Sequence, residues 1–299
     1  MSEQNHRGTT AIGKLVVIGV GLIGGSFALA LKKAGCVRHV VGVGRSRANL
    51  DSAVSLGVID EAAEDAAHAV GDADLVLIAT PVGQMPEVMA QIAPRLSERT
   101  LVTDGGSTKQ DVIAHARRFL GRHVERFVPA HPIAGTEKSG ATAAFAELYR
   151  DRNVILAPQA DTRAEAVQRV RSAWEACGAR VIELGAREHD EIFAAVSHLP
   201  HVVAFALVSM LAKRSDAATL LGFSGGGLRD TVRIAGSSPE MWRDICMANR
   251  ESLVVLLDDY VQELERARAA IASGDGNALE GMFERARSAR RRWLLKDPT

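Results

Sequence analysis

The chain has 299 residues, 47% hydrophobic and 24% charged, with 36 Lys+Arg against 36 Asp+Glu. That is the balance of a folded, soluble protein of two domains; it excludes a disordered or fibrous chain, and the zero net charge excludes the general basic field of a nucleic-acid binder. Three cysteines (Cys36, Cys177 and Cys246) in so long a chain make neither a disulfide framework nor a metal-ligand spacing, so a reducing cytoplasm is expected.

The first element is an apolar run over 15–31, broken by glycines at 19, 21, 24 and 25 and led by a segment containing Glu3. Neither a signal peptide nor a membrane span is expected of it, and no other uncharged run approaches membrane length. Short apolar runs then recur at 15–18, 40–43, 75–79, 101–103, 127–130, 154–157 and 181–184, rich in Val, Ile and Leu without polar alternation. These are expected to be parallel strands buried on both faces. Helix-periodic stretches lie between them at 22–34, 48–55, 85–96, 109–120 and 163–177, which gives a doubly wound α/β domain of the Rossmann type. After about Gly185 the strand runs stop. Helical patterns follow at 188–214, 215–223, 239–273 and 277–295, with Pro239 at a helix start and Gly274-Asp275-Gly276 at a break. The expected organisation is a dinucleotide-binding domain over 1–186 and an all-helical substrate and dimerisation domain over 187–299. A helix over 239–273 would run about 50 Å, more than one small domain covers, and a partner subunit is expected to pack on it.

Gly19-Val20-Gly21-Leu22-Ile23-Gly24 joins the first strand to the first helix. Glycines at this spacing allow a tight turn, close approach of a pyrophosphate to backbone and helix N-terminus, and close helix–strand packing, so a dinucleotide is the expected ligand. Where NAD enzymes usually carry an acid for the ribose, the second strand ends in Val43-Gly44-Arg45-Ser46. Arg45 and Ser46 suit a 2′-phosphate, so NADP is favoured and NAD is the alternative. Thr80 and Pro81 follow the 75–79 strand, and Asp104-Gly105-Gly106-Ser107-Thr108-Lys109 follows the 101–103 strand, both at carboxyl ends where such folds bind ligands. Ser107 can serve the site, cap the next helix, or do both. His131 follows the 127–130 run and opens a Gly/Thr/Glu loop; a histidine there can exchange a proton with a substrate hydroxyl during hydride transfer, near the ordinary imidazole pKa of about 6.5. His198 and His201 flank Pro200 with no nearby Cys or Asp, which suits a pocket wall better than a metal. Arg229 and Arg233 lie in a Gly-rich context, where an arginine either clamps a substrate carboxylate or pairs with Asp230 at the surface.

Taken in order, GVGLIGGS at 19–26, ATPV at 79–82, DGGSTK at 104–109, HPIAGTEKSG at 131–140, SHLPH at 197–201 and DTVRIAGSSPEMWRDI at 230–245 resemble the prephenate/arogenate dehydrogenase family over about residues 14–295. The resemblance implies NAD(P)-dependent oxidative decarboxylation of prephenate to 4-hydroxyphenylpyruvate, or of arogenate to tyrosine, in tyrosine biosynthesis. It implies that His131 bonds the ring hydroxyl and draws off its proton with Ser107 assisting, and that Thr136, Glu137, His201 and Arg233 line the substrate pocket, Arg233 clamping a carboxylate. It also implies a homodimer through the helical domain. Gly44 departs from the acid of NAD-preferring relatives, and a length of 299 residues is expected to leave no room for a fused mutase or regulatory domain. The turn Ala141-Thr142-Ala143 offers no carboxylate to an ammonium, which favours prephenate over arogenate. The rival readings are a dehydrogenase of the β-hydroxyacid type, whose catalytic lysine has no counterpart here (only Lys213 and Lys296 follow residue 185), and a non-catalytic nucleotide sensor that would not need His131.

Overall fold

The computed structural model describes residues 12–136 and 138–296. Contacts divide the chain into two compact units, one ending at Arg250 and one starting at Glu251. The expected boundary near 186 marks where strands give way to helices; the first compact unit runs on to 250, and Trp242 and Ile245 from its last helical stretch enter a core built on the sheet.

That unit opens with β1 (Ile12–Ile18), α1 (Leu22–Lys33), β2 (Val37–Val43), α2 (Arg47–Ser55), β3 (Glu61–Ala63), α3 (Ala66–Ala69), β4 (Leu75–Ile78), α4 (Met85–Ile92), β5 (Leu101–Asp104), α5 (Gln110–Phe119) and β6 (Phe127–Val128). The six strands form one parallel sheet in the order β3-β2-β1-β4-β5-β6. Alternate residues of one strand feed two cores. Leu15 and Val17 join α1 residues Phe27 and Leu31 on one face, while Val16 and Ile18 join Met85, Met89 and Ile92 of α4 on the other. A strand flanked by helices on both faces must be apolar at every position, which is why the runs carry no alternation. The β3 and α3 pieces escape sequence reading because they are short and Ala-rich: Glu-Ala-Ala gives no strand signal, and α3 is a single turn capped by Asp65, which accepts from the Ala67 and His68 amides.

The run at 127–130 is not one strand. Pro129 has no N–H to give a ladder. The chain leaves the large sheet there and starts a second one with β7 (Ala130–Pro132), which pairs antiparallel with β8 (Asn153–Leu156); β9 (Arg180–Glu183) pairs parallel with β8, and α6 (Ala164–Ala176) lies between β8 and β9 in sequence. His131 therefore stands within a strand, opposite Ile155, rather than in the loop after one.

The helices that follow in this unit are α7 (Ala186–Phe193), a π-helical turn (Ala194–His198), α8 (Leu199–Ala212), α9 (Ala217–Gly222), α10 (Gly226–Val232) and α11 (Pro239–Ala248). The stretch from Ala186 to Ala212 is continuous and, by length and composition alone, long and apolar enough to cross a membrane, contrary to the expectation that no such second run exists; it carries His189, Asp190 and His198, all buried within the unit. The helix expected over 239–273 is two helices. Ser238 caps α11, and the chain breaks at Asn249, whose side-chain amide donates to the Asp190 carbonyl at 2.7 Å. Trp242 and Ile245 of α11 complete the core on the α4 face.

The second unit is α12 (Arg250–Ser273, its first residue in the first unit) and α13 (Gly276–Lys296), with Gly274 at φ +70° between them. Val254, Val255, Val261, Leu264, Ile271, Phe283 and Trp293 are exposed on these helices.

Candidate active site

The glycine turn is built as its spacing demands. Gly19 has φ +102°, and a Cβ there would lie 2.6 Å from the Ala79 carbonyl oxygen; a Cβ on Gly24 would lie 2.6 Å from Val17 Cγ1. Gly21, between them, faces open space at the N-terminus of α1, a helix whose first turn carries no acid and whose end has no side-chain cap. Uncapped amides and the positive end of the helix dipole beside an open backbone position fit a pyrophosphate. Leu22 is buried in the core and Ile23 reaches toward the β5 loop, where a Cβ on Gly105 would lie 3.0 Å from Ile23 Cγ2 and 3.9 Å from Pro132 Cδ. The Gly19 turn thus lies against Ala79 and Thr80 at the end of β4, and Gly105 after β5 lies between Ile23 of α1 and Pro132 of β7. Thr80 presents a buried hydroxyl with no hydrogen bond among the described residues.

At the end of β2, Gly44 is exposed and its Cβ position is 3.6 Å from the nearest atom, Leu50 Cδ2, so a side chain fits there. Ser46 caps α2, accepting from the Asn49 amide at 3.2 Å. The Arg45 guanidinium faces Gln84; with that amide turned, its oxygen accepts at 3.2 and 3.3 Å.

Ser107 does not cap α5; the N-cap position is Lys109, whose side chain makes no capping bond. The cap comes from α7: Asp190 accepts from the Lys109 amide at 2.8 Å and the Gln110 amide at 2.9 Å. Lys109 and Asp104 form a fully buried ion pair, in which Asp104 also accepts from the Gly106 and Ala130 amides and the Lys109 ammonium also donates to the Ala130 carbonyl at 2.7 Å. This pair fixes the loop that holds Ser107 to the strand that holds His131.

The His131 ring packs edge-on against His189 and Phe193, with centroids 5.0 and 4.8 Å away. Its Nδ1 lies 2.8 Å from His189 Nε2, and His189 Nδ1 lies 2.8 Å from Asp190 Oδ1. Nε2 of His131 makes no hydrogen bond among the described residues. Burial first, then the neighbouring His189, Lys109 and His198, holds His131 well below the ordinary imidazole range, not near 6.5 as its type alone suggests. It is a neutral base throughout the physiological range.

His198 sits at the end of the π turn, just before Pro200, which has no N–H for a helical bond. Its Nδ1 is 3.1 Å from the Asn249 amide nitrogen, and burial pushes it down to about 4, so it too is neutral. His201 stacks on Trp242, centroids 3.5 Å apart, and its Nδ1 donates to the Ser197 carbonyl at 2.8 Å. Burial lowers its pKa, and the nearby Arg233 charge lowers it further, which places Arg233 beside His201. Thr136 is exposed, its hydroxyl accepting from the Lys138 amide at 3.2 Å, and Glu137 lies outside the described residues. The turn Ala141–Ala143 packs elsewhere: Asn49 links it to the glycine loop, accepting from the Ala141 amide at 2.8 Å and donating to the Val20 carbonyl at 2.7 Å.

Sequence reasoning missed His189, Asp190 and Asn249. Glu188-His189-Asp190-Glu191 reads as a solvated helix face, yet Glu188 and Glu191 are exposed while His189 and Asp190 are buried. The signal was one turn later, in Phe193 and Ala194, which place positions 189 and 190 on the apolar face.

Comparison with known proteins gives two family matches: the prephenate dehydrogenase nucleotide-binding domain over residues 27–183 and the prephenate dehydrogenase dimerization domain over 185–285. The chain is 39% identical to cyclohexadienyl dehydrogenase of Zymomonas mobilis, over 94% of this chain and 96% of that one. It is 36% identical to prephenate dehydrogenase of Bacillus subtilis, over 92% of this chain and 75% of that one. Among solved structures it is similar to prephenate dehydrogenase from Aquifex aeolicus in complex with hydroxyphenyl propionate and NAD+, with TM-score 0.87 and 34% identity, covering 95% of this chain and 99% of that one.

Proposed function

Because the chain belongs to the prephenate dehydrogenase family, we propose that it oxidises and decarboxylates prephenate to 4-hydroxyphenylpyruvate with a nicotinamide dinucleotide, taking arogenate as a second substrate at most. The observation that carries the reading is His131 in β7, neutral and with Nε2 unbonded, one residue before the Pro132 that faces Gly105. The glycine turn and the α1 N-terminus hold the pyrophosphate, and Thr80 and Pro81 border it. NAD(P), when bound, supplies the hydride acceptor. His131 accepts the proton of the ring hydroxyl as the hydride leaves the same carbon, and Ser107 helps orient that hydroxyl. Loss of the ring carboxylate as CO2 puts its bonding electrons into the ring, and the phenolate oxygen so formed takes the proton back from His131. Aromatisation makes the sequence irreversible, so the protein has only to align the groups and exclude water. Thr136, His201 and Arg233 contact the substrate, with Arg233 as the carboxylate clamp, and Glu137 is assigned to the same role from its motif alone.

The protein works as a cytoplasmic homodimer in this reading. The apolar side chains exposed on α12 and α13 need a cover, and the region matched to the family's dimerization domain includes both helices up to 285. The test of substrate is direct: initial rates with prephenate and with arogenate should give the higher kcat/KM for prephenate, and a strong preference for arogenate would reverse the assignment.

NADP is the preferred cofactor in this reading, since Gly44 offers the ribose no carboxylate and Arg45 with Ser46 stands at the crevice edge. Wild type should show the higher kcat/KM with NADP. Gly44→Asp, for which there is room, should swing preference toward NAD by accepting from the 2′-hydroxyl and repelling a 2′-phosphate. A wild type strongly favouring NAD would overturn the preference.

A further inference from the structure

The proton acceptor proposed above needs a bare nitrogen on the substrate side of His131, and a neutral imidazole carries its hydrogen on either nitrogen. Which one is settled two residues away. Asp190 is buried and accepts from two backbone amides, Lys109 N and Gln110 N, whose hydrogens cannot be moved. Burial alone would raise its carboxyl, but the bonds from His189 and from these amides outweigh that and keep it ionised. An ionised carboxylate only accepts. The contact from Asp190 Oδ1 to His189 Nδ1, 2.8 Å, must therefore be filled by a hydrogen on His189 Nδ1. Burial keeps His189 neutral, so its Nε2 is bare and can only accept. The 2.8 Å contact between His189 Nε2 and His131 Nδ1 then requires the hydrogen on His131 Nδ1, and Nε2 of His131 is left as the lone pair. Every link is dictated by the fixed amides at the start of α5.

We infer that His189 and Asp190 are positioning residues that hold His131 in its Nδ1–H tautomer, so that Nε2 is the proton acceptor; this rests on the reading of His131 as the base. When Nε2 takes the hydroxyl proton, the resulting imidazolium keeps its Nδ1–H bonded to His189 Nε2, and the Asp190 carboxylate lies at the far end of the chain as the counter-charge. The proton stays on His131 and returns to the phenolate, so the chain needs no further donor or acceptor. The same arrangement makes the cap of α5 and the orientation of the base one structure, since Asp190 serves both. The charged and titratable groups around His131 are His189 and Asp190 from α7, His198 from the π turn, and Lys109 with Asp104 from the β5–α5 connection.

The test uses the full-length protein with 15N-labelled histidine, His131 being assigned from the spectrum of His131→Asn. At neutral pH the wild-type His131 should show a protonated Nδ1 and an unprotonated Nε2, and His189 the same pattern. His189→Leu removes the acceptor and should lose that pattern at His131, with kcat falling roughly 10²–10³-fold, KM within a few-fold and cofactor affinity unchanged. His189→Gln should recover kcat to within about 10-fold, because its amide can donate to Asp190 and accept from His131 as the Nδ1–H imidazole does. A purely structural role would not distinguish Gln from Leu by kcat alone with KM held. A wild-type His131 bearing its hydrogen on Nε2 overturns the inference, as does a His189→Leu variant that turns over like wild type; should the Leu variant fail to fold, the wild-type spectrum and the Gln variant still decide. If the tautomers are as expected but His131→Asn keeps its kcat, the base assignment fails rather than the chain that orients it.

Discussion

His131→Asn is expected to lower kcat by roughly 10²–10⁴-fold and leave KM within a few-fold. The asparagine has no basic nitrogen, so the hydroxyl proton must go to water in a site that excludes it, whereas ground-state binding of the ring and its carboxylates rests on other groups. The pH dependence gives the second half of the expectation. A base acts when deprotonated, so the wild-type rate should rise with pH as His131 loses its proton. Burial, with His189, Lys109 and His198 around it, favours the neutral ring and keeps this rise well below pH 6.5. Rates should therefore be level through neutral pH with an acid limb well beneath it, and that limb should vanish in the variant. A wild-type rate still climbing between pH 6 and 7.5 on account of His131, or an unchanged kcat in the variant, would exclude the role.

Arg233→Ala should cost about 2–4 kcal/mol in transition-state binding, or roughly 30–1000-fold in kcat/KM, if the guanidinium makes a charge-assisted, two-pronged bond to a substrate carboxylate. The position supports this: Arg233 lies on the short turn Arg233–Gly236, and its charge is felt at His201, whose ring is fixed by Trp242 and the Ser197 carbonyl. Because a carboxylate is held alike in ground and transition states, most of the loss should appear as a raised KM. The variant should bind NADP normally in a fluorescence titration yet fail to saturate with prephenate. Arg233→Lys should recover only part, since an ammonium lacks the planar fork. An alanine variant with the wild-type KM for prephenate would remove Arg233 from the site.

The two expectations differ in how far the sequence alone could carry them. The parallel sheet and the glycine turn were legible because their signals are local. Strands buried on both faces read as unbroken apolar runs, and Gly19 and Gly24 meet the steric demands of a tight turn and of close helix–strand packing. His131 was legible as a residue at a strand end but not as a member of a second sheet, because a break at Pro129 leaves no mark on hydropathy. His189 and Asp190 were illegible because their partners are remote: Asp190 is 80 and 81 residues from the amides it caps, and His189 is 58 from His131. Charged residues on a helix next to exposed glutamates look solvated until the opposing surface is known. The break at Asn249 in the helix expected over 239–273 was illegible in the same way, since Asn249 bonds the Asp190 carbonyl 59 residues away.

The central claim is that this site removes a hydride and a carboxylate from one cyclohexadienol. It is tested most directly by incubating the purified protein with prephenate and limiting NADP, and measuring reduced cofactor, CO2 and 4-hydroxyphenylpyruvate in the same sample. All three should appear in equal amounts at completion, with none formed when the cofactor is omitted. Reduced cofactor without CO2, or no turnover of prephenate by a protein that binds the dinucleotide, would contradict it.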